Sequence, residues 1–123
     1  MKKKNPIGWF EIYVSDFEKS KKFYHDLFGW EYRLLKNFRT EYWTIWAGEG
    51  TVGGGFMKKA NDFKGGQSVV IYLDVDNIDE TLTEVEKAGG KIVTPKTLIN
   101  ESSGYFGMFK DLDGNLLGLW TKH

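Results

Sequence analysis

The chain carries one pattern twice, and that constrains its fold more than any single motif. Tyr42-Trp43-Thr44-Ile45-Trp46 stands 63 residues before Tyr105-Phe106-Gly107-Met108-Phe109. At the same offset, Gly54-Gly55-Phe56-Met57 lies under Leu117-Gly118-Leu119-Trp120. At an offset of 61, Val14-Ser15-Asp16-Phe17 lies over Val75-Asp76-Asn77-Ile78, Ser20 meets Thr81, and Gly29 meets Gly90. Repeated units pack so that each buries what the other cannot, so two copies predict a pseudo-twofold pair.

Each copy reads strand, helix, strand, strand, strand. Ile7–Val14 alternates, with Trp9, Glu11 and Tyr13 on one face and Phe10, Ile12 and Val14 on the other. The wholly apolar face predicts packing against a helix. That helix is expected over Ser15–Phe28, with Ser15 or Asp16 as N-cap, Phe17, Ser20, Phe23, Tyr24 and Leu27 inward, and Gly29 as its stop. Strands are predicted over Trp30–Leu35, Glu41–Ala47 and Val52–Lys58, with Lys36–Arg39 a polar connection and Gly48-Glu49-Gly50 a turn. Gly53-Gly54-Gly55 is poor strand material and marks close backbone approach or a need for empty space.

Lys59–Gly66 reads as the linker between copies, placing module 1 at about 5–60 and module 2 at about 67–123 of a single domain. Ser68–Val75 is a strand with Val69, Ile71, Leu73 and Val75 on one face and Val70, Tyr72 and Asp74 on the other. Asp76–Ala88 is a capped helix with Ile78, Leu82 and Val85 inward, and Asp74 is expected at a strand end or as a helix cap. Lys91–Leu98 contains Pro95 and so belongs at a sheet edge. Tyr105–Phe109 and Leu116–Trp120 form a hairpin around Asp113-Gly114. The expected fold class is α+β: two tandem βαβββ modules forming curved mixed sheets around a cleft, helices outside.

Composition narrows the function classes. The formal net charge is zero, with 17 basic and 17 acidic side chains, which leaves no electrostatic footprint for nucleic acid. No stretch has the length of a membrane span, and Lys2–Lys4 is not followed by the apolar run of a signal peptide, so a cytoplasmic location is expected. The chain has no cysteine, which excludes disulfides, thiolate metal sites and cysteine nucleophiles. Aromatics reach 16%, with five tryptophans, more than a small core requires; they suggest an aromatic-lined cavity.

Several segments in order resemble the vicinal oxygen chelate, or glyoxalase/bleomycin-resistance/dioxygenase, superfamily. They are Phe10-Glu11-Ile12, Val14-Ser15-Asp16, Lys21-Lys22-Phe23-Tyr24 and Leu27-Phe28-Gly29-Trp30 in the first copy. In the second they are Tyr72-Leu73-Asp74-Val75-Asp76-Asn77-Ile78, Ala88-Gly89-Gly90-Lys91 and Phe109-Lys110-Asp111-Leu112-Asp113-Gly114-Asn115. The chain looks most like the short lactoylglutathione-lyase-related members that open with Phe-Glu-Ile. Metal-using members hold a divalent ion with side chains from the first and last strand of each module. That resemblance puts the ligand positions at Trp9, Gly55, Val70 and Gly118, none of which coordinates through its side chain. The two histidines are His25, on the exposed side of a helix, and His123 at the end of the sequence. No metal and no other cofactor is therefore expected. The resemblance also brings homodimerisation as an expectation.

What remains is a metal-vacant cleft. Trp9, Glu11 and Tyr13 are expected to face it from one module and Tyr72 and Asp74 from the other, with Met57 and Trp120 beside the two glycines, and with Trp43, Trp46 and Phe106 as further walls. Gly55 and Gly118 are expected to open space for a bound molecule. Glu11 reads either as a desolvated general base or hydrogen-bond anchor, or as a structural carboxylate satisfied by backbone or a nearby Lys or Arg. The first functional reading is a non-catalytic binder of a small planar or aromatic molecule. The second is a metal-independent isomerase or lyase on a small carbonyl compound with Glu11 as base. The third is a metal-dependent lyase or dioxygenase, against which the ligand positions argue. An acidic, aromatic cleft points to a cationic or neutral aromatic ligand.

Overall fold

The computed structural model describes residues 3–60 and 68–123. Most of the linker expected at Lys59–Gly66 lies outside the described residues. The chain divides into two compact units, Trp9–Val69 and Val70–His123, the second joined by the leading segment up to Gly8.

The first unit is built on β1 (Ile7–Val14), α1 (Phe17–Phe28), β2 (Glu31–Leu34), β3 (Tyr42–Trp46) and β4 (Gly53–Lys58). Its strands run in the order β2-β3-β4-β1, with β1 parallel to β4 and the other neighbours antiparallel. The second unit holds β5 (Val69–Asp74), α2 (Ile78–Lys87), β6 (Lys91–Asn100), β7 (Gly104–Lys110) and β8 (Leu116–Thr121). Its order is β5-β8-β7-β6, with β5 parallel to β8. Both units are thus βαβββ modules in which the last strand returns parallel to the first. The strand carrying Pro95 is at the sheet edge, where a proline is tolerated.

The repeat holds down to backbone angles. Asp16 caps α1 at φ −146°, ψ 112°, and its carboxylate accepts from Lys19 N at 3.0 Å. Asn77 caps α2 at φ −144°, ψ 110°, accepting from Glu80 N at 3.0 Å. Each satisfies a helix N–H that would otherwise lack a partner. The cap of α2 is therefore Asn77, and Asp74 takes the other expected place, at the end of β5, with its carboxylate over Gly8. In the last hairpin, Gly114 takes φ 83°, while the Asp111 carboxylate accepts from the N–H groups of Asp113 and Asn115. Those bonds, and above all the Asn115 side chain, hold the Asp111 carboxyl below the usual carboxylate range.

Each unit has its own core between sheet and helix. In the first, Val14, Phe17, Ile45 and Phe56 are buried, with Phe10, Tyr24, Trp30 and Tyr32 packed against them. In the second the set is Val75, Ile78, Leu82 and Leu119. Phe56 and Leu119 occupy the same place in the repeat and are almost completely buried; removing either side chain from water stabilises by about 1.5–3 kcal/mol.

Two expectations need correction. Phe23 and Leu27 do not face inward; they remain 56% and 59% exposed. Tyr24 and Trp30 stack at 4.9 Å and fill the contact that a wider helix face would otherwise have made. Trp43 packs on the helix side, under the Lys21 ammonium at 3.3 Å from its ring, so it does not join Glu11 on the other face.

Candidate functional site

In the first unit, the sheet face turned away from α1 carries the candidate site. Alternation along β1 sends Trp9, Glu11 and Tyr13 there, and the parallel register sets Glu11 opposite Gly55 and Tyr13 opposite Met57. Glu11 is only 5% exposed. The Tyr13 hydroxyl donates to its carboxylate. Burial first, then the charge of Glu11 and this hydrogen bond, push the Tyr13 phenol from 10.0 up to about 12, with the Arg39 guanidinium pulling the other way. Tyr42, on β3, pairs with Met57 in register and accepts a hydrogen bond from Trp9 Nε1 at 2.9 Å.

The space at Gly55 is not open. A Cβ there would overlap the Tyr42 ring, which lies directly over the glycine. Gly54, on the helix side, is likewise covered, a Cβ meeting the Phe10 ring at 2.6 Å. The triple glycine therefore admits aromatic rings of this same unit against the backbone. The loop between β2 and β3 contributes more than a polar connection. Asn37 takes φ 58°, Phe38 sets its ring edge-on to Tyr42 at 5.6 Å, and the Arg39 guanidinium lies 4.7 Å from the Phe38 ring centre. Tyr42, Phe38 and Arg39 are the residues that sequence reasoning missed. The available signal was Asn37, since asparagine is enriched in the left-handed region and marks a sharp turn.

The second unit shows the same position differently used. Tyr72, on β5, is 8% exposed and stands opposite Gly118, with its ring over that glycine. The room expected at Gly118 is thus filled as well. Trp120 pairs with Asp74 and Phe106 in register and donates through Nε1 to the Ser103 carbonyl at 2.7 Å. Phe106 and Met108 are buried. Trp46 is 56% exposed. His25 is an exposed helix residue whose Nδ1 lies 2.9 Å from the Trp30 carbonyl oxygen.

The fold class implies a divalent ion, and these residues do not fit one. Trp9 has its only polar atom engaged with Tyr42, Val70 is buried and apolar, and both glycines are covered by tyrosine rings. Register brings Glu11 beside Gly55, and Tyr72 beside Gly118, so one carboxylate stands where an ion needs several oxygen or imidazole ligands. Among the described residues no three histidine, aspartate or glutamate side chains group together.

Two tandem βαβββ modules, each closing parallel on its own first strand, define a protein of the vicinal oxygen chelate class. The chain belongs to the Glyoxalase/Bleomycin resistance protein/Dioxygenase superfamily, whose family model matches residues 6–119. It is 29% identical over 121 residues to a glyoxylase-like domain-containing protein of Didymella fabae, covering 94% of this chain and 93% of the relative. It is 24% identical over 129 residues to the anthracycline biosynthesis protein DnrV of Streptomyces peucetius; the match covers 94% of this chain and 46% of that protein. Among solved structures, methylmalonyl-CoA epimerase from Mycobacterium tuberculosis superposes with a TM-score of 0.72 at 14% identity, covering 95% of this chain and 87% of the epimerase. At that identity the likeness concerns the fold. Among the described residues no helix is long and apolar enough to cross a membrane.

Proposed function

We propose that this protein binds a small planar aromatic molecule against the β1–β4–β3 face of its first module, without a metal ion. The observation that carries the reading is the aromatic lining of that face. Trp9, Tyr13 and Phe38 are half-buried there around a single buried carboxylate, Glu11, while the ligand positions offer no donors. Half-buried aromatic rings supply stacking area at low entropic cost, and a few fixed polar groups orient the guest. The similarity to a protein named for anthracycline biosynthesis supports the same ligand class, since anthracyclines are planar polycyclic aromatics. This reading includes Met57 in the first module. It includes a cytoplasmic homodimer as the protein's state.

The hydrogen-bonded Glu11–Tyr13 pair also favours a second reading, a metal-independent isomerase or lyase on a small carbonyl compound with Glu11 as base. Glu11→Gln separates the two. Titration calorimetry with a planar aromatic in the presence of chelator should give binding that largely survives the substitution. A turnover that collapses in Glu11→Gln would establish the base instead, and binding that vanishes on chelation would remove both.

A further inference from the structure

The helix side of the first unit carries an apolar patch that the core of that unit leaves uncovered. We propose that this patch, Phe23, Leu27 and Phe28 on α1, is a twofold contact with a second copy of the chain. The contact rests on the homodimer of the reading above and gives that dimer an interface. It leaves the ligand face clear, because α1 packs on the opposite side of the sheet from Trp9, Glu11 and Tyr13.

Area is the first argument. The three side chains are 56%, 59% and 64% exposed. Phe23 and Leu27 stand one turn apart, and Phe28 extends the patch at the last residue of the helix. A whole aromatic side chain carries about 150–250 Å², so the patch exposes roughly 350 Å² of apolar surface, a size that is commonly functional. A stable interface buries about 800 Å² per partner, an apolar core inside a polar rim. The patch has the size of such a core, and the exposed Lys19, Lys22, His25 and Asp26 supply a rim. Order is the second. Phe23 meets Tyr24 edge-on at 5.1 Å, and Phe28 lies 6.3 Å from Tyr24 and 6.2 Å from Trp30. Rings already held in place lose little freedom on association. Charge is the third, and it points to a second copy as the occupant. Glu18 is tied to Lys21 at 2.8 Å, so Lys19 and Lys22 leave the first half of α1 basic, while Asp26 lies in the second half. Two antiparallel copies of α1, with the axis near the middle of the patch, set Phe23 against the partner's Leu27. The same arrangement brings Lys22 within reach of the partner's Asp26, so the rim complements itself. A formal net charge of zero leaves no overall repulsion between copies.

The test is sedimentation velocity on the full chain at concentrations from about 1 to 200 μM, since association follows mass action. The wild type is expected to sediment as a dimer over the upper part of that range. Phe23→Glu should weaken association at least about tenfold, and Phe23→Glu/Leu27→Glu should be monomeric throughout. Both substitutions lie at exposed positions, so circular dichroism should match the wild type. Leu98→Glu changes a leucine of β6 that is 52% exposed and should leave the dimer intact. A dimer that survives Phe23→Glu/Leu27→Glu, or that Leu98→Glu dissociates equally well, overturns the α1 contact and leaves a homodimer built elsewhere. A wild type that stays monomeric at the highest concentration overturns both the contact and the dimer.

Discussion

The two modules solve the same local problem with different strands. Gly55 and Gly118 are equivalent in the repeat, and each lies under a tyrosine ring. In the second module the ring comes from the neighbouring first strand, as Tyr72, directly opposite the glycine. In the first module it comes from β3, as Tyr42, diagonal to the glycine across β4. That difference frees the central position of β1, the counterpart of Tyr72, for Glu11. The comparison teaches where function can enter a duplicated fold. Where the first strand supplies the filler, its central position is committed to packing. Where another strand supplies it, the position can carry a charge.

The largest expected effect is one the modules share. Phe56→Ala and Leu119→Ala each empty a fully buried place. Equilibrium denaturation should show losses of about 3–5 and 2–5 kcal/mol respectively. A loss below about 1 kcal/mol in one module alone would mean that its helix–sheet core contributes little and would break the equivalence.

Next come the glycines. Gly55→Ala and Gly118→Ala should each destabilise by about 1–3 kcal/mol, because a Cβ at either position overlaps a ring. In a double-mutant cycle, Gly118→Ala with Tyr72→Val should cost less than the sum of the single changes, with coupling of about 0.5–3 kcal/mol. Strict additivity would show that Tyr72 is not what the new methyl meets.

The smallest effect sharpens the difference itself. Tyr13 should ionise near pH 12 in an ultraviolet titration, against the ordinary 10.0. The folded state holds this proton more tightly than the unfolded chain. Its contribution is therefore fully present below pH 10 and is lost as pH rises through about 12. In Glu11→Gln the charge and the carboxylate acceptor are gone while burial remains, so the value should fall part of the way toward 10.0. No change in that variant would separate Tyr13 from Glu11.

The architecture was legible because its signals are local and repeated. The cap at Asp16, helix stops near Gly29 and Gly89-Gly90, and alternation in β1 need only nearby residues to act. Burial of Glu11 followed from its place between Trp9 and Tyr13 on one strand face. What the sequence hid depends on contacts between distant residues. Nothing near Gly55 says that Tyr42, 13 residues away, lies over it. Likewise, Lys36–Arg39 looks like a solvated connection until Phe38 is seen against Tyr42. The inward face of α1 was drawn too wide, because helical periodicity cannot report that Trp30, from beyond the helix, already fills the contact beside Tyr24.

The central claim is that aromatic stacking has replaced metal coordination on the first module's face. Native mass spectrometry of freshly purified, untagged protein, alone and with added 2-naphthoate, tests it most directly. The account predicts a species free of stoichiometric divalent metal that retains an organic molecule or takes up one naphthoate per chain. A stoichiometric divalent ion that resists exchange would contradict it and overturn the reading of Trp9, Gly55, Val70 and Gly118 as positions that hold no metal.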